Sequence, residues 1–178
     1  MTRVRRLPAA AVLCQLLASV AVLVAGQEAD PKLLERLKQL FPAAASFSPK
    51  EGNPPHFTAY GSEAPKTPIG YAFWTIDLEP LERGYDGPIQ MLVGINPSGL
   101  LAGVIVTAHR EPYGYFSVDK PEFAKQFVGK SVRDPFKVGS DIEAISRATI
   151  TVNSATRSIR NSARKIARAL LTPPESGR

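Results

Sequence analysis

Ile89-Gln-Met-Leu-Val-Gly-Ile95-Asn96-Pro97-Ser98-Gly99-Leu-Leu101-Ala-Gly-Val-Ile-Val-Thr107 is the stretch that decides the fold. Two apolar runs rich in β-branched residues, 89–95 and 101–107, flank Asn96-Pro97-Ser98-Gly99, four residues whose chemistry favours a tight reversal. The pattern predicts two antiparallel strands joined as a hairpin. Upstream, Gly84-Tyr85-Asp86-Gly87-Pro88 reads as a further turn, and Ile69 to Ile76, with Tyr71, Phe73 and Trp74, as a third strand. Three successive strands with no helix between them argue for an antiparallel meander.

Helical patterns lie on both sides. The strongest runs from about Thr151 to Leu171, where Val152, Ala155, Ile159, Ala163, Ile166 and Leu170 recur at three- and four-residue steps and share one face. Pro121 to Phe127 reads as a short helix stopped near Gly129, and 130–148 as a loop with one short extended piece. At the other end Asp30 caps, and Pro31 opens, a helix reaching Leu40 and ended by Pro42. Residues 43–68 are rich in Pro, Ser and Gly and read as a linker or long irregular loop, holding one short strand at His56 to Tyr60. The expected fold is α+β, an antiparallel β-sheet meander packed with helices and closed by a long C-terminal amphipathic helix.

Arg3, Arg5 and Arg6 precede an apolar run from Leu7 to Ala25, followed by small residues at Ala25, Gly26 and Ala29. This is the layout of a secretory signal at 1–26, or of an uncleaved anchor, and either one carries the remainder across a membrane. The expected organisation is therefore signal 1–26, helix and linker 27–68, one domain over 69–171, and a tail at 172–178. The formal charge of the whole chain is +6; without those three arginines, 19 basic residues face 16 acidic ones and it falls to +3. The high pI is thus a weak sign of nucleic-acid binding, and no nucleic-acid partner is expected. Cys14, the one cysteine, lies inside the apolar run, so the segment after it has no thiol for a disulfide, an iron–sulfur cluster or a haem attachment. Electrons passing through such a domain need an organic cofactor.

Motifs for catalysis are sparse. Histidine occurs only at His56 and His109, and no metalloprotease, nucleophile-elbow, P-loop or dinucleotide signature is present. Asp77 and Glu79 would share one side of a strand by alternation, where solvation is commoner than acid catalysis. Arg157, Arg160, Arg164 and Arg168 fall opposite the apolar face of the last helix and read as its solvated side. From these residues alone the chain is an exported α+β domain without an assigned role.

Six segments in a fixed order add a resemblance: Gly70-Tyr71-Ala-Phe73, Gly84-Tyr85-Asp-Gly87-Pro88-Ile89, Leu92-Val93-Gly94-Ile95, His109-Arg-Glu111-Pro112, Phe127-Val-Gly129-Lys130-Ser131 and Glu143-Ala-Ile-Ser146-Arg147-Ala148-Thr149-Ile150-Thr151. From Gly70 to about Leu170 the chain resembles the FMN-binding domain family. That family is shared by the NosR regulators of nitrous oxide respiration, where the likeness is strongest, and by the flavin subunits of Rnf and sodium-pumping quinone reductase complexes. In it the last Thr of a Ser/Thr-Gly-Ala-Thr segment bears FMN through a phosphoester. The resemblance implies covalent FMN at Thr149, within Ser146, Arg147, Ala148, Ile150 and Thr151, and attachment by a flavin transferase of the ApbE type that uses FAD and a metal ion. A Thr hydroxyl is too inert to react unaided. By its place just before the last helix, Thr149 also suits a phosphate.

The same resemblance sets His109, Glu111 and Pro112 beside the isoalloxazine ring, with Trp74, Tyr113 and Tyr115 as further stacking candidates. Two departures stand out: Arg147 occupies a position that is Gly in many members, and Glu143 one that is more often Asp. The implied role is electron transfer with a membrane redox partner, in a periplasmic or otherwise extracytoplasmic location, the N-terminal segment being the one membrane contact if uncleaved. A different class of reading is a sensory or maturation module of a respiratory enzyme without redox chemistry of its own.

Overall fold

The structure, a computed structural model, describes residues 30–171. The expected signal 1–26 and tail 172–178 lie outside the described residues. Five strands form one antiparallel sheet in simple sequential order: β1 (Ser46–Phe47), β2 (Phe57–Tyr60), β3 (Pro68–Trp74), β4 (Gln90–Ile95) and β5 (Leu101–Ala108). The hairpin read from 89–107 is β4–β5, with Val93 opposite Val104 and Gly94 opposite Gly103. Asn96 builds its turn by accepting the Ser98 and Leu100 amides on its side-chain oxygen, both at 3.0 Å. The α+β meander is therefore the observed architecture.

Helices cover both faces of the sheet. On one lies α4 (Thr149–Leu170), which presents Val152, Ala155, Ile159, Ala163 and Ile166 to Phe73, Met91, Val93 and Ile95. The chain between β5 and α4, carrying α3 (Pro121–Lys125), closes this core with Phe123, Phe127 and Phe136. The Phe123 and Phe127 rings meet edge to face at 5.2 Å, and Phe127 stacks on Phe136 at 6.0 Å. Such contacts add to the area the rings bury. On the other face α1 (Pro31–Leu40) packs Leu37 and Leu40, followed by Phe41, against Phe57, Ala59, Ala72 and Leu92. Asp30 caps α1 by accepting the Lys32 amide at 3.0 Å, as the sequence suggested.

Three expectations need correction. Residues 43–68 hold more than the one short strand expected at His56 to Tyr60: that strand is β2, and β1 pairs with it, Ser48 tying the two by donating its amide to the Thr58 carbonyl and accepting the Thr58 amide, both at 2.9 Å. Composition misled because Pro and Ser mark the reversals between strands as readily as a spacer. The third strand stops at Trp74 rather than Ile76, and Thr75–Leu78 form a one-turn helix, α2. There the buried Thr75 hydroxyl accepts the Met91 amide at 3.1 Å, taking over the pairing a further strand residue would supply. Asp77 and Glu79 consequently share no strand face; they pair with Lys50 at 3.0 Å and Lys165 at 2.8 Å.

The arginine stripe is also more than a solvated face. Arg164 donates to the Val132 and Asp134 carbonyls at 2.9 and 2.7 Å, clasping the loop before α4. Arg157 forks onto Glu82 at 3.2 and 2.7 Å, and this pair lowers the Glu82 carboxyl below its ordinary value. Among the described residues no helix is long and apolar enough to cross a membrane.

Candidate functional site

The beginning of α4 is unusual. A helix normally opens on a side chain that caps its free amides. Here the capping position is Ala148, which has nothing to offer, and the first turn carries no acidic residue. Thr149 is the first helical residue, so it lies inside the helix and not just before it as the sequence suggested. Its side chain is exposed and its hydroxyl makes no hydrogen bond among the described residues. The chain enters this turn through Arg147, whose φ of 68° is in the left-handed region. That conformation costs a side-chain-bearing residue about 1–2 kcal/mol. Ser146, Arg147 and Ile150 are exposed, and Ala148 is packed into the core.

Thr151, two residues along the same turn, behaves oppositely. It is 3% exposed, and its hydroxyl donates to Glu111 Oε2. Glu111 is itself buried and accepts the amides of Tyr85 and Asp86, each at 2.9 Å. One carboxylate thus joins three remote segments: the 84–86 turn, the exit from β5 and the first turn of α4. The approach is so close that a side chain at Gly84 would occupy the place of the carboxylate, which explains the glycine. Burial alone would raise the Glu111 carboxyl, but the Thr151 hydroxyl and the two amides outweigh it and hold the group below its ordinary value of 4.5.

His109 extends the network. Its Nδ1 accepts the Glu111 amide at 3.1 Å, so the ring hydrogen is assigned to Nε2, which donates to Asp119 Oδ1 at 2.7 Å. Gly114 packs against the imidazole with no room for a side chain. Pro112, Tyr113 and Tyr115 are exposed just beyond, and the two tyrosines lean on Phe116 with centroids 5.4 and 4.9 Å away.

Comparison with known proteins matches the FMN-binding domain model to residues 84–164, from the turn held by Glu111 to the middle of α4. This stretch belongs to the FMN-binding domain family. The chain is similar to a subunit of the ion-translocating oxidoreductase complex of Pseudomonas aeruginosa, at 37% identity over 93 residues, 46% of this chain and 42% of that protein. It is similar to the regulatory protein NosR of the same species, at 28% over 163 residues, 83% of this chain and 22% of NosR. A subunit of the Na(+)-translocating ferredoxin:NAD(+) oxidoreductase complex of Acetobacterium woodii is 29% identical over 99 residues, 51% of this chain and 46% of that protein. The chain thus spans less than half the length of each of these three relatives.

Within the FMN-binding domain the predicted residues separate into two groups. Ser146, Arg147, Thr149 and Ile150 lie on the surface, whereas Glu111 and Thr151 are buried against each other and His109 is engaged by Asp119. The Glu111–Thr151 bond brings the 109–112 loop to the start of α4. Trp74 packs with the α1-side cluster, on the sheet face away from α4, while Tyr113 and Tyr115 stay on the Glu111 side. The roles of the Tyr85 and Asp86 amides and of Asp119 were not read from the sequence. Backbone donors leave no residue-type signal, and an Asp ten residues after a His has no local pattern to betray it. Among the described residues no cluster of His, Cys, Asp or Glu is suited to a metal ion.

Proposed function

We propose that Thr149 carries FMN through a phosphoester and that the domain passes electrons between this flavin and a membrane-bound respiratory partner outside the cytoplasm. The observation that carries the reading is the contrast between two threonines of one turn inside the matched segment: the Thr149 hydroxyl is exposed and unbonded, whereas Thr151 is buried and committed to Glu111. The surroundings fit a flavin phosphate. The first turn of α4 has no side-chain cap and no acidic residue, so its amides and positive dipole end are free for an anion. Arg147 stands two residues away with its side chain unpaired among the described residues. The exposed tyrosines 85, 113 and 115 and Ile150 offer apolar surface beside it.

None of the described side chains hydrogen-bonds the Thr149 hydroxyl, so activation falls to a separate flavin transferase of the ApbE type. The Thr149 oxygen displaces AMP from FAD: the oxygen–phosphorus bond forms, the pyrophosphate bond breaks, and the hydroxyl proton leaves to a base on the transferase. Bound flavin supplies one- and two-electron chemistry, and the protein's share is to hold it and set its potential. The names of the relatives, subunits of ion-translocating oxidoreductase complexes, support a membrane redox partner. The arginines and apolar run at 1–26 support a periplasmic location, by export or as an anchored domain.

The chain co-expressed with a flavin transferase is expected to run as a fluorescent band after denaturation, with the flavin mapped to Thr149 and absent from Thr149→Val. A colourless wild-type protein would overturn the assignment and favour a sensory or maturation role without redox chemistry.

A further inference from the structure

Two hydroxyls, Thr149 and Thr151, lie in a single turn, and a carboxylate that touches only the second decides which remains available. We propose that Glu111 is a positioning residue that selects the acceptor, withdrawing Thr151 and fixing the first turn of α4 so that Thr149 faces outward. This rests on the reading of Thr149 as the flavin-bearing residue, but the geometry is a property of the chain itself.

Glu111 has no surface role to explain it: it is 6% exposed, and its two oxygens are taken up by Tyr85 N–H, Asp86 N–H and the Thr151 hydroxyl. Its own amide is held by His109, which Asp119 holds in turn. The carboxylate is therefore fixed from its backbone as well as from its tip. Charge-assisted bonds of this kind are stronger than neutral ones. With no side chain capping α4 at Ala148, the Glu111–Thr151 bond is, among the described residues, the one side-chain hydrogen bond tying 148–151 to another segment. Release of this bond frees the Thr151 hydroxyl and loosens the start of α4, while the rest of the helix stays held by Val152, Ala155, Ile159, Ala163 and Ile166.

The test uses the full chain, as Glu111→Ala, Glu111→Gln, Thr151→Val and Glu111→Ala/Thr151→Val, with and without the transferase. In the flavin-free proteins, amide hydrogen exchange is expected to speed up about tenfold or more at 85–86 and 152–154 in Glu111→Ala and at 152–154 in Thr151→Val, with 159–167 unchanged. Glu111→Gln, which keeps an acceptor oxygen, should fall between wild type and Glu111→Ala. The double variant should exchange no faster than the faster single one, because both remove the same tie. After co-expression, peptide mapping should find flavin only on Thr149 in wild type, and in Glu111→Ala reduced occupancy of Thr149 with flavin now also on Thr151. Uniform loss of protection along α4, additive single variants, or unaltered Thr149 occupancy with no flavin on Thr151 would each overturn the selection role. Wild type without flavin would instead fail the assignment of Thr149, while the exchange arm still reads whether Glu111 fixes this turn.

Discussion

Arg147→Gly should stabilise the domain, although it removes a side chain. Arg147 has φ of 68°, a conformation that costs an L-residue about 1–2 kcal/mol and glycine almost nothing. Against this, glycine gives the unfolded chain more freedom, which costs roughly 0.5–1 kcal/mol. The side chain is exposed and makes no hydrogen bond or ion pair among the described residues, so its loss adds within about 0.5 kcal/mol. The balance is a gain of about 0.5–1 kcal/mol. With an unfolding entropy of roughly 2 cal/mol/K per residue over about 140 residues, that is a rise in Tm of about 2–3 °C. In urea, with a slope of about 2 kcal/mol/M, the midpoint rises by roughly 0.3–0.5 M. Trp74, the only tryptophan, reports unfolding by fluorescence. Arg147→Ala is the control: it removes the same charge and keeps the unfavourable φ, so it should show no gain. If Arg147→Gly is no more stable than Arg147→Ala, the backbone at 147 is not left-handed in solution and the reasoning fails.

The Glu111 carboxyl is held below its ordinary value of 4.5 in the folded state, so its contribution to stability is fully present above about pH 4.5 and is lost as the pH falls through the lower folded value. Glu82 and Asp141 are lowered in the same direction. The share of Glu111 is therefore the difference between wild type and Glu111→Gln in urea midpoint, which should be widest near neutrality and shrink below about pH 4.5; a difference that does not shrink in acid refutes it. Phe41 is 5% exposed and lies against Gly70 and Gly94 of β3 and β4. Phe41→Ala should cost about 3–5 kcal/mol in urea unfolding, and a cost below about 1 kcal/mol would show that the segment from α1 to β2 is not part of the cooperative unit.

Much of this was legible in the residues themselves. The apolar, β-branched runs and turn chemistry of 89–107 determined the hairpin, the three- and four-residue spacing from Val152 to Ile166 determined α4 and its buried face, and Asp30 with Pro31 determined the start of α1, because each is a short-range pattern that the chain carries locally. The ordered segments from Gly70 to Thr151 pointed to the FMN-binding family. Tertiary structure alone decided the rest. That Ser46–Phe47 joins the sheet as β1 depended on its partner β2, and Thr75 left the strand because its hydroxyl meets Met91 across the fold. In sequence Thr149 and Thr151 are equivalent β-branched alcohols; what separates them is a carboxylate 40 residues away, and only the packing of the 84–86 turn, the β5 exit and α4 brings it to one hydroxyl and leaves the other in solvent.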